Sequence, residues 1–562
     1  MEEKIRLCME DWLYNSGLVG FYNILKHADD DVVIKQNYIE FEFDNLVEFE
    51  EKYFNYFMDR YRDIFSLNKI ISFEKFILHH EENNFEEFDE KSLEFTNRYI
   101  TDVAKKQIKS NSYKSAYELI ESSINVLELE KNLKTINIKK KQDIKDILSE
   151  IKDMFNLLKQ IIRYMKLEQS QKYIGAKNAM YTIIKNGWNG VCFLNPQTKE
   201  KDMYIDYKEY FIDPTIEYLN TDKSKFKYSC FSCARSMKDF SNDLSFLNST
   251  GFDVSRKSSH VWDFQNDIAV CPICKLIYSC VPAGITYLYD KGIYINDNSS
   301  MKNAIDINNK IYMEIYKQND ENKKLTYRAL VESINKEYND KVKYELADIQ
   351  LVRYEDEKYR FNILSKNSLK VIKDSEEDLN KLINCGFKEI NTYFNIYELV
   401  IDRLLNSQNM FTLVQKMLHY KLSQPKDSHY NSFHVIRILG INTRFLKGVG
   451  CMKGIYRDIV KEGNDAGEKL REKYRSKGAV DKLGGISYRL LNSLKTNNKD
   501  SFMDTLLNCY LYVKSSVPEV FLDALKDEER LKTIGYAFVA GLIEGKRENN
   551  NDDDENGGKD NE

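Results

Sequence analysis

The chain has 562 residues, of which 42% are hydrophobic and 30% charged, a composition typical of folded globular proteins rather than disordered ones. At roughly 100–200 residues per domain, the length predicts two to four domains. The 83 basic and 88 acidic residues give a net charge of −5, which excludes a simple polycation, so any nucleic-acid surface must be local.

The chain shows neither an export signal nor a membrane segment. Residues 1–11 carry three glutamates and no basic-then-apolar run, so we expect no signal peptide. No stretch reaches the ~18 apolar residues that a membrane helix needs. These features predict a cytoplasmic protein with no membrane partner, whose ten cysteines are thiols or metal ligands rather than disulfides.

Residues 1–225 are predicted to form an α+β part that is helical up to about residue 170. Apolar residues at helical spacing run through residues 2–27, with a predicted break at Asn15-Ser16-Gly17. A second stripe from Ile144 to Ile162 predicts a core-facing helix. The pair His79-His80 is followed by two glutamates, and we expect it in an exposed acidic loop rather than at a metal.

Residues 185–190, with the sequence Lys-Asn-Gly-Trp-Asn-Gly, give a strong turn signal, and we expect short strands on either side. Because glycine lets a backbone approach the minor groove, this turn is one candidate for contacts to base edges. Its candidate residues are Lys185, Asn186, Trp188 and Asn189. The indole of Trp188 is predicted either to insert as a wedge between base pairs or simply to cap the core.

The strongest local signal is a pair of CxxC motifs within residues 226–285. Each motif can place two thiolates on one metal ion, so Cys230, Cys233, Cys271 and Cys274 together predict a closed, structural tetrathiolate zinc site. The 37-residue gap between the motifs exceeds the usual ribbon spacing of about 15–20, which predicts an inserted excursion. Arg256 and Lys257 in this insertion are a second candidate site for nucleic-acid contacts. His260 is a less favoured candidate that could replace one of the cysteine ligands. The alternative to a shared zinc site is two unrelated cysteine pairs, each buried or redox-active.

The remaining chain is predicted to be mostly helical. Residues 286–425 continue the N-terminal part, with a possible strand pair at Val342–Tyr354 and Tyr359–Ile363, and Pro425–Ser432 is expected to be a linker. A helical bundle over residues 433–547 follows, and the acidic tail 548–562 is predicted to be disordered. The predicted class is therefore mixed and predominantly α, with a zinc-ribbon-like insertion and a C-terminal helical bundle.

The C-terminal bundle is locally basic, since residues 434–499 hold 15 basic and 6 acidic residues. A positive groove of this kind suits a nucleic-acid backbone, although a solvated helical surface would give the same pattern. The candidate side chains are Arg437, Arg444, Lys447, Lys453, Arg457, Arg471, Lys473, Arg475, Lys477 and Lys482.

Sequence motifs for catalysis are lacking. The chain has no GxxxxGK[ST] phosphate loop, no HExxH metal motif and no GxSxG nucleophile turn. We therefore expect no enzymatic activity.

Three stretches together resemble a known family. They are Asp11–Gly20 near the start, the paired CxxC motifs, and a C-terminal region comprising residues 485–492, 501–506 and 536–542. The chain in this respect resembles the CRISPR-associated CXXC–CXXC family, which supplies the large subunit of the type I-B Cascade complex.

The resemblance implies a role in crRNA-guided DNA surveillance. A large subunit of this kind would bind at the crRNA 5′ end beside the backbone and 5′-end-capping subunits. It would recognise the protospacer-adjacent motif in double-stranded target DNA, hold the displaced strand in the R-loop and recruit the helicase-nuclease. Its C-terminal bundle would be similar to the small subunit, which the same gene can produce by internal translation. The alternatives are a zinc-containing nucleic-acid-binding protein outside CRISPR and a nuclease, which the missing motifs disfavour.

Overall fold

The computed structural model describes residues 4–138, 143–248, 269–288, 291–317, 349–355, 357–363, 366–452, 454 and 457–544. The chain divides into two compact units, one of residues 1–325 with 350–361 and one of residues 326–349 with 362–562. The mixed, predominantly α class is confirmed. Among the described helices, none combines the length and apolar character needed to cross a membrane.

The first unit is built mainly of helices. They are α1 (Trp12–His27), α2 (Phe49–Arg60), α3 (Ser66–Ser72), α4 (Glu74–Glu82), α5 (Glu90–Tyr99), α6 (Lys106–Ile108), α7 (Asn111–Tyr117), α8 (Val126–Asn132), α9 (Leu148–Met165), α10 (Glu168–Ala179), α11 (Lys185–Gly187), α12 (Met203–Tyr207), α13 (Asp213–Asn220), α14 (Pro272–Ser279), α15 (Val281–Gly284) and α16 (Met301–Lys317). π-Helical turns join α5 to α6, α10 to α11 and α12 to α13 into longer helices.

Three small sheets accompany these helices. Their strands are β1 (Ile5–Cys8), β2 (Val33–Ile34), β3 (Tyr38–Phe41), β4 (Tyr228–Ser229), β5 (Ser236–Met237), β6 (Thr286–Leu288), β7 (Lys291–Asp297), β8 (Ile349–Glu355) and β9 (Lys358–Ile363). The sheet orders are β1-β3-β2, β4-β5 and β6-β7-β8-β9. The last two strands confirm the predicted strand pair, although residues 342–348 of that prediction lie outside the described residues.

The N-terminal prediction is wrong in two places. Residues 5–8 form a strand, in which Ile5 pairs with Phe41, rather than a helix. Helix α1 also runs without a break through Asn15-Ser16-Gly17. The buried Asn15 amide donates to Glu10 O at 2.9 Å and to Asn296 Oδ1 at 3.1 Å, so a residue that favours turns is satisfied inside the helix.

Small residues in α1 allow it to pack directly on α14 and α15. A Cβ atom on Gly20 would lie 2.0 Å from Cys280 O, and one on Gly284 would lie 1.9 Å from Ser16 O. The two backbones can approach this closely only because both positions are glycine. The N-terminal stretch Asp11–Gly20 therefore supports the helices that follow the second CxxC motif.

Aromatic residues dominate the core around α14. The hydroxyl of Tyr53 and the indole N–H of Trp188 both donate to Ser279 O at 3.0 Å, and the hydroxyls of Tyr207 and Ser279 are 2.7 Å apart. The rings of Tyr53 and Tyr207 stack with centroids 4.3 Å apart. The stripe predicted from Ile144 to Ile162 packs in a separate core between residues 67 and 174.

The histidine pair lies on α4 rather than in a loop. His79 forms a 3.2 Å contact with Glu87, whereas His80 is buried among phenylalanine rings. The expectation that both are exposed was therefore wrong for His80.

The second unit contains ten described helices and one small sheet. The helices are α17 (Lys366–Asp374), α18 (Glu376–Asn380), α19 (Ile396–Leu405), α20 (Phe411–Ser423), α21 (Ser432–Gly448), α22 (Ile459–Ser476), α23 (Lys482–Lys495), α24 (Lys499–Tyr512), α25 (Val520–Ala524) and α26 (Glu528–Ile543). The sheet has the order β11-β10-β12, with β10 at Gly386–Glu389, β11 at Thr392–Asn395 and β12 at Ser428–His429. Helices α22 and α26 pack closely, since a Cβ on Gly467 would lie 2.1 Å from Phe538 O.

The predicted linker at Pro425–Ser432 is not a linker. Its residues Ser428 and His429 form β12 and pair with Phe387 and Gly386 of β10. Helix α20, which precedes Pro425, packs against α21, α23 and α26. The C-terminal bundle therefore continues N-terminally past residue 433, and the last boundary between the two units falls between residues 361 and 362. The tail 548–562 lies outside the described residues.

Candidate metal centre and nucleic-acid-binding residues

Two local structures hold the four predicted cysteines. Cys230 and Cys233 lie in the turn between β4 and β5, where Ala234 adopts a left-handed backbone with φ of 56°. Cys271 immediately precedes α14, and Cys274 lies in its first turn. Pro272 occupies the start of that helix, a position that proline favours because its missing N–H would have no partner there.

The four sulfur atoms meet in one cluster. All four Sγ atoms lie within 4.8 Å of one another, and those of Cys233 and Cys271 are 3.6 Å apart. A tetrahedral zinc ion with Zn–S bonds of about 2.3 Å would place its sulfurs about 3.8 Å apart. The spacing therefore fits a shared tetrahedral metal ion, and the four cysteines are free thiols rather than disulfides.

Their electrostatics also favour a bound cation. Hydrogen bonds from the Cys233, Cys271 and Cys274 thiols lower the pKa of Cys230, so one thiolate forms readily. Cys230 raises the pKa of Cys233, but hydrogen bonds from Cys271 and Cys274 lower it by more. Donation to the Cys230 thiolate raises the pKa values of Cys271 and Cys274, so the charges of these two cysteines do not form on their own. A divalent ion would stabilise all four thiolates together. Four sulfur ligands are the set that structural zinc takes, and they leave no open position for a catalytic water.

Two further side chains border the cluster, and sequence analysis did not identify them. Burial lowers the pKa of Arg235, but interactions with Cys233, together with the charges of Cys271 and Tyr14, raise it by more. The Tyr14 hydroxyl of α1 lies 3.6 Å from Cys274 Sγ. Arg235 follows the first CxxC motif by two residues, so spacing alone could have suggested it, whereas Tyr14 is 260 residues from Cys274.

The predicted turn at residues 185–190 lies at the end of a helix. Its first three residues form helix α11, a π-helical turn at Met180–Ile184 precedes them, and a 3₁₀ helix at Cys192–Leu194 follows the turn. The expected flanking strands are therefore wrong apart from a single bridge between Trp188 and Leu247. Trp188 is fully buried, which matches its core interpretation and leaves no free ring face for insertion into DNA. Lys185 and Asn189 are exposed and Asn186 is partly buried.

Several predicted basic residues of the second unit have internal partners. Arg437 and Arg444 bind the two carboxylate oxygens of Asp378 at 2.6 and 2.7 Å. Arg457 binds Asp523 Oδ2 at 2.6 Å. These three side chains therefore help to hold helices together, a role that depends on acids up to 66 residues away in the sequence.

Arg471 and Lys447 stand apart from these pairs. Arg471 donates to Leu542 O at 2.6 Å near the end of α26, which satisfies a terminal helix carbonyl. Lys447 is exposed in the last turn of α21. Lys453 lies outside the described residues, as do Arg256, Lys257 and His260 of the excursion.

Two other predicted lysines lie over the ring of one tyrosine, and a third lies close by. The Nζ atoms of Lys477 and Lys482 lie 5.1 and 4.8 Å from the ring centroid of Tyr512, which is 41% exposed. Lys473 contacts Ser515 nearby, and Arg475 is exposed on the same helix. We call Lys473, Lys477, Lys482 and Tyr512 the Tyr512 cluster. It combines positive charge with an aromatic ring, and Tyr512 itself was missed because a single tyrosine among 38 carries no sequence signal.

One comparison with known proteins bears on this site. Residues 223–286 match the family model described as CRISPR-associated protein (Cas_CXXC_CXXC). The matched stretch contains all four clustered cysteines and helices α14 and α15. No curated protein and no solved structure matches the chain. The match supports a CRISPR-associated CXXC family through the segment that forms the metal centre.

Proposed function

We propose that this chain is the large subunit of a type I-B CRISPR Cascade complex, which acts in the cytoplasm. The observation that carries the proposal is the family match at residues 223–286, whose four cysteines converge at metal-binding distances. The N-terminal stretch Asp11–Gly20 adds support, because α1 packs directly on the helices that follow Cys274. The stretch that resembles the family's N-terminal motif thus packs on the segment that the family model matches.

In this proposal the metal is zinc and its role is structural. The four sulfurs close the coordination shell, so the ion would tie the β4–β5 hairpin to the start of α14. When bound, zinc supplies cross-linking and charge neutralisation. Tyr14 and Arg235 position the sulfurs from outside, and we assign no catalytic step to this chain.

The roles of crRNA and protein follow from how guided complexes recognise DNA. Pairing with crRNA reads the target sequence, while the protein reads a short adjacent motif and binds the backbone. We assign motif recognition in double-stranded target DNA to the first unit. The proposed partners are the crRNA 5′ end, the displaced strand, the backbone and 5′-end-capping subunits, the small subunit and the helicase-nuclease.

The Tyr512 cluster is the proposed backbone and displaced-strand contact of the second unit. Lysine ammonium groups neutralise phosphates, and an exposed aromatic ring offers a face on which a base can stack. Arg437, Arg444 and Arg457 are less suited, since each already binds a carboxylate within the unit. Of the ten basic side chains predicted to contact a nucleic-acid backbone, the exposed ones therefore remain as candidates.

The proposal is tested by assembling the complex with and without this chain. Binding is measured to target DNA that carries a library of adjacent motifs. We expect motif-dependent binding only when the chain is present. If motif dependence is unchanged without the chain, the assigned role is wrong. If the chain then also binds DNA without crRNA, nucleic-acid binding outside CRISPR is the favoured function.

A further inference from the structure

The β4–β5 hairpin that carries the first CxxC motif exposes an unusual number of aromatic rings. Tyr228, Phe231 and Phe240 are 42%, 60% and 43% exposed. They make up half of the large exposed aromatic side chains in the described part of the first unit, although the segment spans only 13 residues. Since burial of such rings is strongly favourable, an exposed group of them marks a contact surface.

Two of these rings form one platform. The centroids of Tyr228 and Phe240 are 4.3 Å apart, and their planes are inclined at 52°. Tyr228 is anchored by the antiparallel pairing of β4 with Met237 of β5, which is buried. The platform is therefore fixed to the hairpin that carries Cys230 and Cys233 rather than carried on a free loop.

Three lysines neighbour the platform in the sequence. Lys227 directly precedes Tyr228, Lys238 directly follows the residue paired with Tyr228, and Lys225 lies two residues before Lys227. All three lysines are exposed, and none makes an ion pair within the part of the chain that the structure describes. The two carboxylates of the segment, Asp222 and Asp239, instead accept hydrogen bonds from Ser224 and Ser241 in their own turns.

We infer that this hairpin surface, made of Lys225, Lys227, Tyr228, Phe231, Lys238 and Phe240, binds a segment of single-stranded DNA. Unpaired bases stack on exposed rings while lysines contact the phosphates, and this combination suits a single strand better than a duplex, whose bases are already stacked. The identity of the strand rests on the proposed function, in which crRNA is paired with the target and the displaced DNA strand keeps unpaired bases. The site is distinct from the Tyr512 cluster, which belongs to the second unit.

The test measures binding of the purified full-length chain to a fluorescent 20-mer of deoxythymidine at several salt concentrations. A lysine variant carries Lys225→Ala, Lys227→Ala and Lys238→Ala. Its control carries Lys75→Ala, Lys91→Ala and Lys114→Ala, which remove the same charge from exposed positions of the same unit. Because each phosphate contact to a single strand contributes about 0.7 to the slope of log K against log salt, we expect the lysine variant to flatten the slope by about 2 and the control to leave it unchanged.

An aromatic variant with Tyr228→Ala and Phe240→Ala separates stacking from charge. We expect it to weaken binding by about tenfold at every salt concentration without changing the slope. Tyr228→Phe keeps the ring and should bind as the wild type does. Zinc content and the thermal midpoint of each variant show whether the hairpin is intact.

Photocrosslinking of the unaltered protein gives an independent readout. A 4-thiothymidine 20-mer should crosslink to the peptide that contains Tyr228 and Phe240, and an excess of duplex of equal length should compete poorly. Wild-type slopes in the lysine variant, or crosslinks that avoid this peptide, would overturn the inference. Neither readout needs crRNA. If the chain assembles with crRNA but its hairpin shows no single-strand binding in these tests, the hairpin inference is wrong and the proposed function is unaffected.

Discussion

Replacing Trp188 distinguishes a structural tryptophan from one that inserts into DNA. The indole N–H donates to Ser279 O at 3.0 Å, and the ring lies 5.1 and 5.5 Å from those of Phe193 and Phe211. Tyr53 also donates to Ser279 O, so this carbonyl keeps one partner when the indole is removed. Trp188→Ala therefore loses mainly packing, and truncating a buried tryptophan costs about 3–5 kcal/mol.

The expected change in melting temperature follows from the size of the first unit. Roughly 340 residues unfold with an entropy of about 0.7 kcal/mol/K, since each residue contributes about 2.1 cal/mol/K. The midpoint of that unit should therefore fall by about 4–7 °C, measured by differential scanning calorimetry. Lys185→Ala and Asn189→Ala, which alter exposed side chains of the same turn, should shift it by less than about 1 °C.

An unchanged midpoint in Trp188→Ala, together with weaker binding to motif-bearing duplex DNA, would contradict a core role for this indole. That result would show an indole free to insert between base pairs. A lower midpoint together with normal DNA binding at low temperature is what a core residue produces.

Three further predictions concern the metal, the Tyr512 cluster and catalysis. Cys271→Ser should abolish binding of one equivalent of zinc in elemental analysis and lower the thermal midpoint, because structural zinc contributes ~10–16 kcal/mol in finger peptides. Cys8→Ser, which replaces an exposed thiol outside the cluster, should change neither the zinc content nor the midpoint. Removing the three lysines of the Tyr512 cluster should flatten the salt dependence of single-strand binding by about 2, and an unchanged slope would exclude the cluster as a phosphate contact. Highly purified protein should show no magnesium- or manganese-dependent DNA cleavage and no ATP hydrolysis, and activity that a point mutation in this chain abolishes would contradict this.

Local signals in the sequence predicted the four-cysteine cluster. The two CxxC motifs place cysteines at turn spacing, and the fold brings both pairs within 4.8 Å despite the 37 intervening residues. The strand pair at β8 and β9 and the helical stripe from Ile144 also followed from periodicity. In each case the pattern that predicts the element lies within a short stretch of sequence, so residue spacing alone can reveal it.

Long-range contacts explain what the sequence could not predict. Asn15 suggests a break in α1, but Asn296, 281 residues away, satisfies its amide within the helix. Pro425 suggests a linker, but Ser428 pairs with Phe387 in a strand. Arg437 and Arg444 suggest a nucleic-acid groove, but both bind Asp378. Such partners are set by the tertiary fold rather than by local pattern.

RNA sequencing of the purified complex shows whether this chain works in a crRNA-guided complex, as we propose. The tagged full-length chain is isolated from cells that hold its neighbouring genes, and the bound RNA and proteins are identified. We expect RNAs of uniform length with a common repeat-derived 5′ end, together with the backbone and 5′-end-capping subunits, and loss of this association in the zinc-free Cys271→Ser variant. Recovery of the folded, zinc-bound chain with no such RNA and no such subunits would contradict a role in a crRNA-guided complex.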